Sequence, residues 1–333
     1  MAVAAYEQAL TWLDAADPMH HRVTAELAAS QWEAGHHSDG IRGLRDALEV
    51  AVRAGDVRAQ GVATSNLGVM HHLAGNHVEA RRLHERALDR HRQAGHDRFE
   101  AIAQFDLAGL AHELGASERA ADLYQRAIDG LDTAKDARLS ALAQAALAAV
   151  QARLGRSSEP DATSIAAELE AGGHPLFARG AWLYARLVAV LATPESFDPS
   201  DYEQQPDEVQ LPARLLGQLS ASMERGEVLR AGVALDRFCV GAGDWVDLSS
   251  RTAYRGIFAM LCTRRLRGQP DATLDDLVAA GWPGERVSAD AARNRAHVAL
   301  SSLRRLGLAG ILQKQSGGYA LSVRVPLLIT GSI

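Results

Sequence analysis

The chain has 333 residues, 47% of them apolar, and a net charge of −6, ordinary values for a globular protein with room for more than one core. Its two Cys, Cys239 and Cys262, have no neighbouring Cys or His cluster, which excludes a disulfide scaffold or thiolate zinc site and predicts reduced core residues. No signal peptide opens the sequence and no apolar run reads as long enough to cross a bilayer, so the expectation is a cytoplasmic protein without a membrane partner.

Charge is unevenly placed. Residues 1–210 carry a net −12 and residues 211–333 a net +6. Only the C-terminal part is therefore suited to a polyanion. Arg outnumbers Lys so strongly, with Lys135 and Lys314 the only Lys residues, that Arg abundance alone is no signal for DNA.

The first two-thirds repeats. Leu27, Leu67, Leu107 and Leu147 stand forty residues apart, as do Gly35, Gly75, Gly115 and Gly155. Each unit begins with an apolar helical stripe, reaches a Gly suited to a left-handed helix end, and continues into a second helix. Small residues at Gly68, Ala87, Ala108 and Ala127 allow close helix approach. Each hairpin has one apolar side that only a neighbour can bury, which is the logic of a solenoid.

These units resemble tetratricopeptide repeats. The residues that carry the resemblance are Leu67–Gly68, Ala80, His84 and Ala87, matched by Leu107–Ala108, Ala120, Tyr124 and Ala127. It spans residues 1–192 as a domain, with the residues beyond a 34-residue period expected between hairpins, at 94–100 and 133–140. The resemblance implies an inner face lined by first helices, with Trp32, Asn66, His72, Asp106 and Glu113 as candidates to hold a protein, a peptide or a small effector. A solvated face without a ligand is the plainer alternative. Residues 4–17 look like a second helix lacking its first, so the chain is expected to be a fragment with a domain upstream.

Residues 193–212 hold four Pro and no periodic stripe, and are expected as a linker. A bridging helix is expected over 213–231. Residues 232–249 alternate around a Gly-rich turn and predict a hairpin. Helices follow over 251–268, over 271–284 with Thr273 as its cap, and over 288–308 with Ala292, His297 or Val298, Leu300, Leu303 and Leu306 inward. Two short strands around Ser316–Gly318 close the series, and 326–333 reads as a tail.

This order resembles the winged-helix DNA-binding domain of OmpR/PhoB-type response regulators and of activators that join it to tetratricopeptide-like repeats. The landmarks are Leu277 through Trp282–Pro283, Asn294 with Val298 and Leu300, the 302–306 run, and Gly318–Tyr319–Ala320–Leu321, within residues 232–325. The fold class expected is therefore multidomain: an all-α superhelix, then an α+β winged helix with an N-terminal β-hairpin. The resemblance implies that 288–306 enters the major groove of duplex DNA, with Arg293, Arg295, Ser301, Arg304 and Arg305 facing bases or phosphates. Lys314 would follow from the wing, and Arg264, Arg265 and Arg267 would add phosphate contacts. Tyr319 is expected to pack the wing on the helices rather than touch a base.

Two departures favour a second function. The repeats precede the winged helix, and the groove helix displays Ala289, Ala291 and Ala296. A domain that has lost DNA binding and serves as a docking or autoinhibitory module fits both. No phosphate loop, nucleophile elbow or metal-binding helix motif is present, and the His residues fall on several faces. No catalytic residue, metal or cofactor is expected; the chain reads as a bacterial transcription regulator, not an enzyme.

Overall fold

A computed structural model describes residues 2–14, 17, 19–285 and 288–330. The array begins with α1 (Ala2–Leu10), α2 (His20–Glu33), α3 (His37–Arg53), α4 (Val57–Leu73) and α5 (His77–Gln93). It continues with α6 (Asp97–Glu113), α7 (Ser117–Thr133), α8 (Ala137–Arg153), α9 (Ala162–Ala171) and α10 (Pro175–Ala192). From α3 to α8 every helix has 17 residues. The forty-residue register is thus two equal helices and two equal turns. The residues expected between hairpins, 94–100 and 133–140, mostly lengthen helices instead.

The turns follow one rule. Gly75 (φ +77°) ends α4, with its N–H donating to His72 O and the next N–H, of Asn76, to His71 O. This pattern closes the orphan carbonyls of a helix end and requires a left-handed residue. At the matching turn after α7 the residue is Lys135 (φ +59°), which adopts the same backbone without the freedom of Gly.

Close packing explains the small residues. A Cβ at Gly68 would lie 2.6 Å from His84 Nδ1, so α4 meets α5 ring against backbone. In the next unit Ala108 and Tyr124, both fully buried, stand at the equivalent positions.

The segment expected as a linker is only partly one. After a 3-10 turn at Ser200–Tyr202, α11 spans Asp207–Glu224 with Pro212 inside it. Pro206 begins it, and Pro212 lies in its second turn, where the missing N–H costs one helix bond. Proline count concealed the helix start. Its end comes early: β1 (Leu229–Gly232) is a strand where a bridging helix was expected.

The C-terminal part adds β2 (Arg237–Val240), β3 (Val246–Asp247), α12 (Thr252–Leu266), α13 (Leu274–Gly281), α14 (Ala289–Leu303), β4 (Leu312–Gln315), β5 (Gly318–Leu321) and β6 (Leu327–Thr330). The first sheet has the order β3-β2-β1-β6, with β1 antiparallel to β2 and parallel to β6. Residues 327–330, expected as a tail, are therefore a strand; 331–333 lie outside the described residues. β4 and β5 pair as the expected hairpin, and Tyr319 in it is buried, bonded through its backbone to Ala272. Thr273 caps α13 in a reciprocal box with Asp276. The third helix stops at Leu303 and passes through a π turn, Arg304–Leu308. Ala292, Ala296, Leu300 and Leu303 are its buried stripe, so Ala296 points inward, while Val298 is exposed.

One apolar core runs from Ala101 in α6 to Ile329 in β6, and a smaller one joins α2 to α5. The second half of the array and the C-terminal region are therefore packed as one unit. One helix, α10, is apolar and long enough by composition to cross a bilayer, contrary to the expectation that no run would be. It buries Tyr184, Leu187 and Val190 and packs on α8, α9 and α11. Cys239 and Cys262 are buried and unpaired.

Gly68→Val places two methyl groups and a Cβ against the His84 ring. It is expected to lower unfolding free energy by about 1–3 kcal/mol, read as a lower urea midpoint at unchanged slope.

Candidate functional site

The face formed by α4 and α6 carries most of the residues singled out in the repeats, and α11 lies across it. Its anchor is Glu113, the last residue of α6, whose side chain is buried. Glu113 Oε2 accepts from Arg214 Nη2 at 2.6 Å and from His72 Nε2 at 2.8 Å, and Oε1 accepts from Gln218 Nε2 at 2.9 Å. Arg214 and Gln218 stand one turn apart on α11. Arg214 Nη1 also donates to His72 O and Leu73 O, the last carbonyls of α4. A cation is favoured there by the helix dipole and by the carbonyls at the helix end, which have lone pairs left to accept from it.

Burial alone would raise the Glu113 carboxyl. The donors on it outweigh burial and hold it well below the usual carboxylate range. His72 moves the other way: burial lowers it, against the pull of Glu113. The pair is thus a carboxylate facing a neutral imidazole that donates from Nε2.

Deeper in the face, Asp106 is buried, and burial with the nearby charges of Asp207 and Glu208 raises its carboxyl well above the ordinary value. His84 Nδ1 is 3.7 Å from its Oδ2. Burial pushes the His84 imidazole down to about 3. His112 is likewise held neutral by burial and by Arg153. These side chains belong to the interior, so His72, Asp106 and Glu113 present no open surface.

Trp32 and Asn66 differ. They line a cleft with Met70 and Leu73 that is closed on its other side by residues 203–207 and Gln210. The Trp32 ring lies against that of His37, centroids 4.3 Å apart and planes tilted by 33°. The repeat face is therefore occupied within the chain, by α11 over α4 and α6 and by the preceding loop over the cleft.

This cover was signalled in the sequence by α6. Of its 17 residues, the run from Ala103 to His112 is buried without a break, and apolar or small residues dominate that run. A helix without a polar face is covered on both sides, whereas α5 keeps one charged side.

In the C-terminal region the predicted site residues divide. Arg293, Arg295, Ser301 and Arg305 are exposed along α14 and the π turn, and Lys314 is exposed on β4. Arg295 pairs with Glu285 at 2.6 Å and Arg305 donates to Ser302. Arg304 is half-buried and donates from Nε to Leu312 O at 3.1 Å, so it holds the hairpin to the helix instead of facing outward. Arg264 is tied to Asp276 at 2.9 Å and to Pro270 O at 3.0 Å. Arg267 is exposed. Arg265 contradicts the phosphate expectation: it is buried, donating to Ser322 O and Val323 O beneath the turn that follows α6. The side chain of Ala289 lies outside the described residues. Among the described residues no group of three His, Cys, Asp or Glu is placed to hold a metal.

Residues 59–133 match the tetratricopeptide repeat family model. That interval runs from α4 through α7, including the Gly68–His84 and Ala108–Tyr124 positions, and identifies a tetratricopeptide-like array of the kind that engages protein partners. No curated protein matches the chain.

Glu113→Gln removes the charge that Arg214 faces. It is expected to cost about 3 kcal/mol and to speed proteolysis within 193–212 as α11 loosens; an unchanged digestion rate would refute the clamp.

The buried imidazoles give a signed pH dependence. His84 has a folded value of about 3 against 6.5, so the unfolded chain binds the proton first. Its contribution is full above pH 6.5 and is lost as pH falls toward 3. Asp106, raised in the fold, works in the opposite direction. His84→Phe is expected to flatten the loss of stability between pH 6.5 and 4 by about 1.4 kcal/mol per pH unit, measured by urea unfolding at several pH values.

Proposed function

We propose that the protein is a bacterial transcription regulator whose C-terminal region is a winged helix of the OmpR/PhoB type that binds duplex DNA. The observation that carries this is the exposure of Arg293, Arg295 and Ser301 on α14 and of Arg305 in the π turn after it, next to the hairpin bearing Lys314. A helix of 15 residues is about 22 Å long and fits the major groove. The exposed Arg295–Glu285 pair is weak enough for a phosphate to displace. Asp290 on the first turn tempers the positive face. Arg267, exposed just past the end of α12, is the remaining candidate for a phosphate contact.

In this proposal the array is the receiving part. A protein or peptide partner engages the cleft at Trp32 and Asn66, or replaces α11 on α4 and α6. No step requires a catalytic residue, cofactor or metal, and the place of action is the cytoplasm, where the DNA is.

A second function is favoured by the repeat match itself: a protein-interaction scaffold whose C-terminal region docks and occludes and does not touch DNA. The burial of Arg265 and the inward ties of Arg264 and Arg304 leave fewer free cations than a dedicated DNA reader displays.

The two are separated by one double substitution. Arg293→Ala with Arg305→Ala is expected to weaken binding to a duplex fragment and to reduce the salt slope by about 2, measured by titration at several salt concentrations. Absence of saturable DNA binding by the folded wild type at low salt would leave the scaffold.

A further inference from the structure

A cavity of about 800 Å³ opens where the array, α11 and the C-terminal region meet. That volume is in the range of small-molecule sites. Arg153 from the end of α8, Arg265 from α12, Arg225 after α11 and Arg324 before β6 line it, together with the Arg214–Glu113 clamp.

Two of these cations are unusual. Arg153 and Arg265 are each only 8% exposed, and the Nε of each has no hydrogen-bond partner. Their bonds go to carbonyls: Arg153 Nη1 to His112 O at 3.4 Å, Arg265 Nη1 to Ser322 O and Nη2 to Val323 O. Among the described residues no carboxylate pairs with either one. Burial brings both down to about 10, and the charge of Arg153 adds to the effect on Arg265. Like charges brought together out of water are costly unless a counter-charge joins them.

The acidic groups at the cavity are already engaged. Glu113 is held by Arg214, His72 and Gln218, and Asp198 accepts from the Ser200 N–H. Arg225 pairs with Glu227 in an exposed contact at 2.7 Å, which a stronger anion displaces. The protein therefore supplies two buried donors in need of charge and two exposed ones at the rim, with space beside them.

We propose that this junction binds a phosphate-bearing small molecule, whose phosphoryl oxygens accept from Arg153 and Arg265 while Arg225 and Arg324 close on it from the rim. Guanidinium groups suit phosphate because their paired N–H donors match two oxygens at once. The ligand bridges α8, α12 and the segment before β6, and so fixes the C-terminal region on the array. The site is independent of α14 and stands whether or not that helix binds DNA.

The test uses the whole chain, titrated calorimetrically with inorganic pyrophosphate and with ADP at constant ionic strength. The expected result is saturable binding at one site for at least one of them, with a raised melting temperature. Arg153→Gln with Arg265→Gln is expected to weaken it about tenfold or more. Arg225→Gln with Arg324→Gln, on exposed positions, is expected to weaken it severalfold and to fold normally. Arg293→Ala with Arg305→Ala is expected to leave it unchanged, which separates this site from the surface of α14. No saturable binding of either probe to the wild type, or affinity unchanged in the rim variant, overturns the proposal. The rim variant decides alone if the buried pair prevents folding.

Discussion

Glu113 is one carboxylate buried at the end of one helix, and it determines where a third of the chain goes. A buried charge requires partners, and the nearest of its own array, His72, is neutral. The positive charge comes from Arg214, more than a hundred residues later, which in the same guanidinium caps the end of α4. Those bonds fix α11 in both position and register over α4 and α6. Once α11 is fixed, the loop before it covers the Trp32 cleft and the strand after it starts the sheet. The join between repeats and C-terminal region is thereby set by electrostatics as well as by apolar contact.

The interior of the array is more polar than its Ala-rich sequence suggests. His84, Asp106 and His112 each leave a buried polar atom unbonded, and the hydroxyls of Tyr124 and Tyr184 are buried facing each other. In a solenoid each unit is stabilised mainly by its neighbours, so such penalties are local. Among the described residues they fall between α4 and α10, where α11 is packed, and not in α2 and α3. The middle of the array is therefore both the most enclosed part and the part most sensitive to protonation. This is what expected electrostatics would give if cover by α11 came with the burial of side chains suited to an open face.

Much of the architecture was legible because repetition makes a weak signal strong. A single Gly after a single stripe says little, whereas Gly35, Gly75, Gly115 and Gly155 in register specify a turn at each. Gly55 and Gly95 held the matching signal for the second helices, and Lys135 hid the next one by taking a left-handed turn without Gly. The C-terminal helices and the β4–β5 hairpin were legible from caps and apolar spacing. Long-range pairing was not. Nothing local distinguishes Leu327–Thr330 as a strand, because its partner β1 is far away in sequence. Nor does local sequence separate Arg265, buried under an array turn, from Arg267, exposed two residues later. The candidate face was found by position, but its cover was concealed by the prolines around α11.

The parallel pairing of β1 with β6 has a consequence for the order in which the molecule is made. Most contacts of α2 to α10 are with sequence neighbours and can form while synthesis continues, although α4 also meets α11, α7 meets α12 and α8 meets β6. β1, by contrast, waits through roughly a hundred further residues for its parallel neighbour. Until Leu327–Thr330 emerges, one edge of that sheet is open, with its backbone donors and acceptors unmatched. The region between these strands, which includes α12 to α14, is thus closed by β6, and a ribosome stalled before that point would carry a sheet with one open edge and an α8 that lacks the strand it packs against.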